Sequence, residues 1–98
     1  MPDLDAIRET WNRETGWVSA GAEWSGPWGG PEPQWWGALL PRIHAFVPTG
    51  VVLELGPGQG RWSRYLRRLS DQLILVDVAE YCIEACRQLF DGDSRVSC

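Results

Sequence analysis

The chain has 98 residues, enough for one small domain. Apolar residues make up 44%, which argues against general disorder. Formal net charge is −4, so no basic excess marks a nucleic-acid surface. No apolar run has the form of a signal peptide or the length to span a bilayer, and a cytoplasmic location is expected. The three cysteines, Cys82, Cys86 and Cys98, suit reduced thiols rather than a disulfide framework.

In chain order, Asp3 or Asp5 caps a predicted helix over residues 4–12, with Ile7 and Trp11 on one face. Residues 13–33 hold too many Gly and Pro for a long regular element. Five of the seven tryptophans, Trp17, Trp24, Trp28, Trp35 and Trp36, lie between residues 17 and 36. The spacing of Trp35, Leu39, Ile43 and Phe46 predicts a helix over 34–46, kinked at Pro41. Pro48-Thr49-Gly50 reads as a turn.

A β-α-β-α-β pattern follows. Val51 to Leu55 reads as a strand buried on both faces. Arg61 to Ser70 reads as a helix, with Trp62, Tyr65, Leu66 and Leu69 inward and Arg61, Arg64, Arg67 and Arg68 on a solvated stripe. RNA contact is the alternative for that stripe. Leu73 to Val76 is the second strand, ending at Asp77. Glu80 to Phe90 is the second helix, with Cys82, Ile83, Cys86, Leu89 and Phe90 inward. Asp91-Gly92-Asp93 is a turn, and residues 95–98 open a third strand. The strands should be parallel. Three strands are few for a doubly wound sheet, so the chain is expected to be the N-terminal part of a longer protein, inactive by itself. A self-associating short domain is the alternative.

Between the first strand and its helix stand Glu54 and the glycines Gly56, Gly58 and Gly60. Closely spaced glycines at a strand-to-helix turn let a ligand touch bare backbone. A dinucleotide fingerprint would place its third small residue where Arg61 stands, and a P-loop would need Lys after it. Glu54 would repel a pyrophosphate, so a cationic ligand suits this edge better. The bland reading is a tight turn with Glu54 as a helix-dipole partner.

The segment Val52-Leu53-Glu54-Leu55-Gly56-Pro57-Gly58-Gln59-Gly60 closely resembles motif I of the class I S-adenosylmethionine-dependent methyltransferases. Asp77, 21 residues after Gly56, stands where that family has an acid at the end of its second strand. Glu23 to Gly30 also looks like the lead-in of some small-molecule methyltransferases. The resemblance implies an α/β, Rossmann-like parallel sheet over 49–98, with 1–48 as a helical, Trp/Gly/Pro-rich cap or lid. It implies S-adenosyl-L-methionine as cofactor and methyl transfer to a small-molecule acceptor. Gly56, Pro57, Gly58 and Gly60 would form the cofactor loop. Glu54 would face the amino end, Asp77 the ribose hydroxyls and Val78 the adenine. No catalytic base is assigned.

The tryptophan cluster reads as packing over the sheet, as a lid, or as a stacking platform. Trp28 and Gln34 are candidate lid or acceptor contacts. His44 as a base, and Cys82, Cys86 and Cys98 as metal ligands, are weaker readings than a surface histidine and buried apolar thiols. No metal is expected. A nicotinamide or flavin oxidoreductase and a non-catalytic nucleoside-binding module are the rival functions.

Overall fold

The computed structural model describes residues 3–12 and 17–98. Helix α1 spans Leu4–Trp11, and its start is set by Asp3, whose side chain accepts from the Ala6 N–H at 2.8 Å. A 3₁₀ segment spans Ala22–Trp28. The predicted 34–46 helix is a composite that begins earlier: α2 over Pro31–Gln34, a π segment over Trp35–Leu39, and α3 over Leu40–Ile43. Pro41 explains the interruption. Its ring would strike the carbonyl one turn back, and widening the preceding turn avoids the clash. The Leu40 N–H accordingly reaches the Trp35 carbonyl, five residues back.

Strand β1 spans Thr49–Leu55, so Thr49 and Gly50 begin the strand instead of forming a turn. The Thr49 N–H already pairs with the Leu69 carbonyl at 2.9 Å. Helix α4 is short, Ser63–Arg67. Its start is delayed because Gly60 turns the chain at φ +91°, and its end comes early because Ser70 joins β2, Ser70–Val76. Helix α5 spans Glu80–Leu89 and β3 spans Val96–Ser97.

The three strands are parallel in the order β1-β2-β3, as the β-α-β-α-β pattern implies. Val52 pairs with Leu73 and Glu54 with Leu75, so these four residues share one face. That face holds the core. Leu73 and Leu75 are buried with Cys86, and Val52, Leu66, Phe90 and Val96 pack against them. Each such leucine contributes about 1.5–3 kcal/mol by leaving water.

The opposite face is bare. Val51, Leu53, Leu55, Ile74 and Val76 are all exposed, Leu55 at 73%. This corrects the expectation that β1 is buried on both sides. The apolar run is continuous, but only one side of the strand meets helices. Among the described residues no helix is long and apolar enough to cross a membrane.

Two groups of aromatic rings form. Trp35 is buried and stacks on Tyr65 of α4 at 4.9 Å between centroids, with Trp62 at 6.2 Å. This stack fixes the 31–43 helix against the β/α unit. Trp11, Trp17 and Trp24 form the second group, with centroids 4.9–5.9 Å apart and tilted or edge-on to one another.

Candidate functional site

A cavity of about 590 Å³ lies at the carboxyl ends of β1 and β2, a size suited to a small ligand. Its floor is Leu55 to Gly58 together with Val76 to Val78. Its other walls are Trp11, Trp17, Trp24, Trp62 and Arg61. The backbone turns sharply here, with Gly56 at φ +70° and Gly58 at φ +59°. A side chain at either position would strain the backbone.

The three glycines differ in what they face. Nothing lies within 4 Å of where a Cβ would stand at Gly56, so its backbone is open to a ligand. A Cβ at Gly58 would fall 2.6 Å from the Trp17 ring. A Cβ at Gly60 would fall 2.6 Å from Leu89 of α5. Gly60 is buried and lets loop and helix pack closely, and it does not line the cavity.

Asp77 ties the two loops of the floor together. Its Oδ2 accepts from the Gly58 N–H at 3.0 Å and its Oδ1 from the Ala79 N–H at 2.9 Å. A carboxylate has about four lone-pair sites, so both oxygens retain capacity for ligand hydroxyls. Val78 is half-exposed and lines the same cavity.

Glu54 lies on the core side of β1, outside the cavity lining. The Ser63 hydroxyl donates to its Oε1 at 2.6 Å. Burial pushes its carboxyl above the usual range, the Ser63 bond opposes that, and the negative charge of Asp77 adds to it. A cation placed near the pair would reverse the effect of Asp77.

The N-terminal segment closes the cavity from above. Arg8 Nε donates to the Val78 carbonyl at 3.2 Å. Helix α5 has no side-chain cap of its own. Instead Asn12, just beyond α1, accepts from the Tyr81 N–H at 2.6 Å. The Cys82 thiol meets the Trp11 carbonyl at 3.6 Å.

Glu23 organises the next stretch, accepting from the N–H groups of Val18, Ser19 and Gly21. Burial works to raise its pKa, but these backbone donors hold it below the ordinary value. Composition gave no signal of this role.

Arg61 leaves the predicted solvated stripe and joins the cavity wall. Its guanidinium lies 4.6 Å from the Trp62 ring and 5.9 Å from the Trp24 ring, and Nη1 donates to the buried Ser25 hydroxyl at 3.1 Å. Arg67 also leaves the stripe. It pairs with Asp93 in the turn before β3, through Nε at 2.5 Å and Nη2 at 3.1 Å. Only Arg64 and Arg68 of the four are exposed.

Of the remaining candidates only Cys82 lines the cavity; Trp28, Gln34, His44 and Cys86 lie outside it. Trp28 is exposed, and the Gln34 Oε1 is buried without a hydrogen-bond partner among the described residues. His44 is exposed beyond α3. Cys82 and Cys86 are buried, and burial pushes both thiols up to about 12, so they stay protonated. No group of three metal-ligating side chains occurs among the described residues.

No family model matches the chain. Over 63 residues it is 33% identical to ribosomal RNA small subunit methyltransferase A of Geobacter sulfurreducens, a match covering 61% of this chain and 23% of that protein. The fold is similar to that of the solved DhpI-SAM-HEP complex, with a TM-score of 0.57 and 24% identity. That likeness covers 96% of this chain and 38% of the other. The chain thus spans well under half the length of both. The parallel sheet, the acid-glycine turn after β1 and the acid after β2 make this the fold of the class I S-adenosylmethionine-dependent methyltransferases.

Proposed function

We propose that the protein binds S-adenosyl-L-methionine in the cavity at the β1/β2 edge and transfers its methyl group to a small-molecule acceptor. The observation that carries this reading is the open backbone of Gly56 beside Asp77, in one cavity of nucleoside size. Gly56, Pro57 and Gly58 would lie along the cofactor. Asp77 would take the ribose hydroxyls with its spare lone pairs, and Val78 would lie against the adenine. Glu54 would act from behind the loop, through its field or through water, on the cationic end. Gly60 would support the loop from below.

The cofactor supplies an electrophilic methyl group when bound. The chain's own contribution is to hold and orient, and to exclude water by the tryptophan wall. No side chain here is assigned as base.

A small acceptor is favoured by the aromatic enclosure of the cavity and by the net charge of −4. A ribosomal RNA acceptor is the second reading, favoured by the curated relative's name. The exposed Arg64 and Arg68 would then be its first contacts.

Calorimetric titration with S-adenosylhomocysteine and with NADH tests the cofactor. Binding of the first alone is expected, and binding of NADH alone would overturn the reading. Methyl transfer to RNA that weakens steeply with salt, with none to small acceptors, would replace the small-molecule acceptor by the second reading.

A further inference from the structure

The cavity wall holds one cation, Arg61, and one anion, Asp77, among the described residues. Arg61 occupies the position after Gly60, where the turn enters α4, and it points among indole rings instead of toward water. Its guanidinium is held by Trp24, Trp62 and the buried Ser25 hydroxyl.

A guanidinium carries five N–H donors in a fixed fork. Ser25 uses one of them, and no carboxylate lies within ion-pair distance of Arg61 among the described residues. Glu23 contributes a favourable field from nearby, but its oxygens accept from three backbone N–H groups. Burial lowers the Arg61 pKa, which marks a partly desolvated charge. The result is a cation held by ring contacts and Ser25, facing a cavity, with donors to spare and no ionic partner among the described residues.

We infer that Arg61 binds the α-carboxylate of the cofactor's methionyl tail, and this rests on the methyltransferase reading above. The tail is zwitterionic beside a sulfonium, so it presents two positive groups and one negative one. Glu54 suits the positive amino end, Asp77 would be engaged with the ribose, and both acids would repel the carboxylate. Arg61 is the group on the same wall able to take it, and a planar fork matches a carboxylate through two parallel bonds. The cation–π contacts hold the fork in place before the ligand arrives, so little side-chain freedom is lost on binding.

The test compares two ligands that differ at that end. S-Adenosylhomocysteine carries the amino-acid tail, and 5′-methylthioadenosine lacks it. Both are titrated calorimetrically into the wild-type protein and the Arg61→Gln and Arg61→Lys variants. Arg61→Gln should weaken S-adenosylhomocysteine about tenfold or more and leave methylthioadenosine within about twofold. Arg61→Lys keeps the charge and stem while losing the fork, and should show a smaller loss of the same selectivity. It also serves if the glutamine variant does not fold.

Equal weakening of both ligands would overturn the inference, because Arg61 would then only pin the tryptophan wall. Unchanged affinity for S-adenosylhomocysteine would overturn it as well. In both cases the cofactor reading would stand. If the wild-type protein bound neither ligand, both readings would fall together.

Discussion

The half-sheet of residues 49–98 and the tryptophan segment of residues 17–36 meet at one cavity, yet they are held by different forces. The half-sheet rests on strand pairing and on a buried cluster of Leu73, Leu75 and Cys86. These forces are non-directional or supplied by the main chain, and many sequences of the right pattern satisfy them. The tryptophan segment contains no strand. It is organised by single side chains, with Glu23 gathering three backbone N–H groups and Arg61 gripping Trp24 and Ser25. The lesson is that loss of one side chain should release the segment locally, whereas damage to the half-sheet should be global.

Leu73→Ala tests the global side and should have the largest effect. Leu73 is fully buried at the centre of the sheet, and its truncation should cost about 2–5 kcal/mol in chemical denaturation. The whole chain should lose structure together, including the tryptophan signals. A loss confined to the sheet would break the comparison.

Gly60→Ala comes next. The added methyl meets the end of the Leu89 side chain at 2.6 Å in a backbone that disfavours side chains, so a loss of about 1–2 kcal/mol is expected, most of it from the backbone. Leu89→Ala in the same protein should recover the steric part, leaving the backbone part. A double-mutant cycle with zero coupling would show that loop and α5 do not press on each other there.

Glu23→Gln should leave the sheet's circular dichroism unchanged while speeding proteolysis and amide exchange at Val18 to Gly21. If the Glu23 variant unfolded as broadly as Leu73→Ala, the tryptophan segment would be part of the core and the contrast would vanish.

The pH responses are the smallest effects, and they have opposite signs. Asp93 is held below its ordinary value, chiefly by Arg67. The stability from this pair is present above the ordinary aspartate range and is lost as pH falls through the lowered value. Arg67→Ala should therefore flatten the acid arm of the stability curve. Glu54 is held above its ordinary value by burial. Stability is relatively favoured while it is protonated and declines as pH rises from the ordinary glutamate range through the raised value. Glu54→Gln should remove that decline in melts taken across this range.

Much of the half-sheet was legible from residues alone. The period of Trp62, Tyr65 and Leu66 marked α4, and the β-branched runs marked β1 and β2, because local pattern and packing agree there. Gly56 could be singled out because closely spaced glycines at a strand end free the backbone for a sharp turn, and Asp77 because it stands where the methyltransferase resemblance implies an acid. The misreadings came where long-range partners decide. Arg61 and Arg67 carry the same helical stripe pattern as Arg64 and Arg68, and nothing local tells a solvated arginine from one bound by Ser25 or Asp93. The second face of β1 read as buried because a continuous apolar run does not say how many layers cover it. Gly58 and Gly60 looked alike, although one lies under Trp17 and the other under Leu89.

By itself the sequence determined the order of strands and helices, the sharp turn after β1 and the acids at the ends of two strands. These follow from side-chain periodicity and from backbone freedoms that each residue carries with it. Only the tertiary structure decided which glycine is open, which arginine enters the cavity and which face of the sheet is covered. Those outcomes depend on contacts between residues far apart in the chain, and such contacts exist only once the chain has closed on itself.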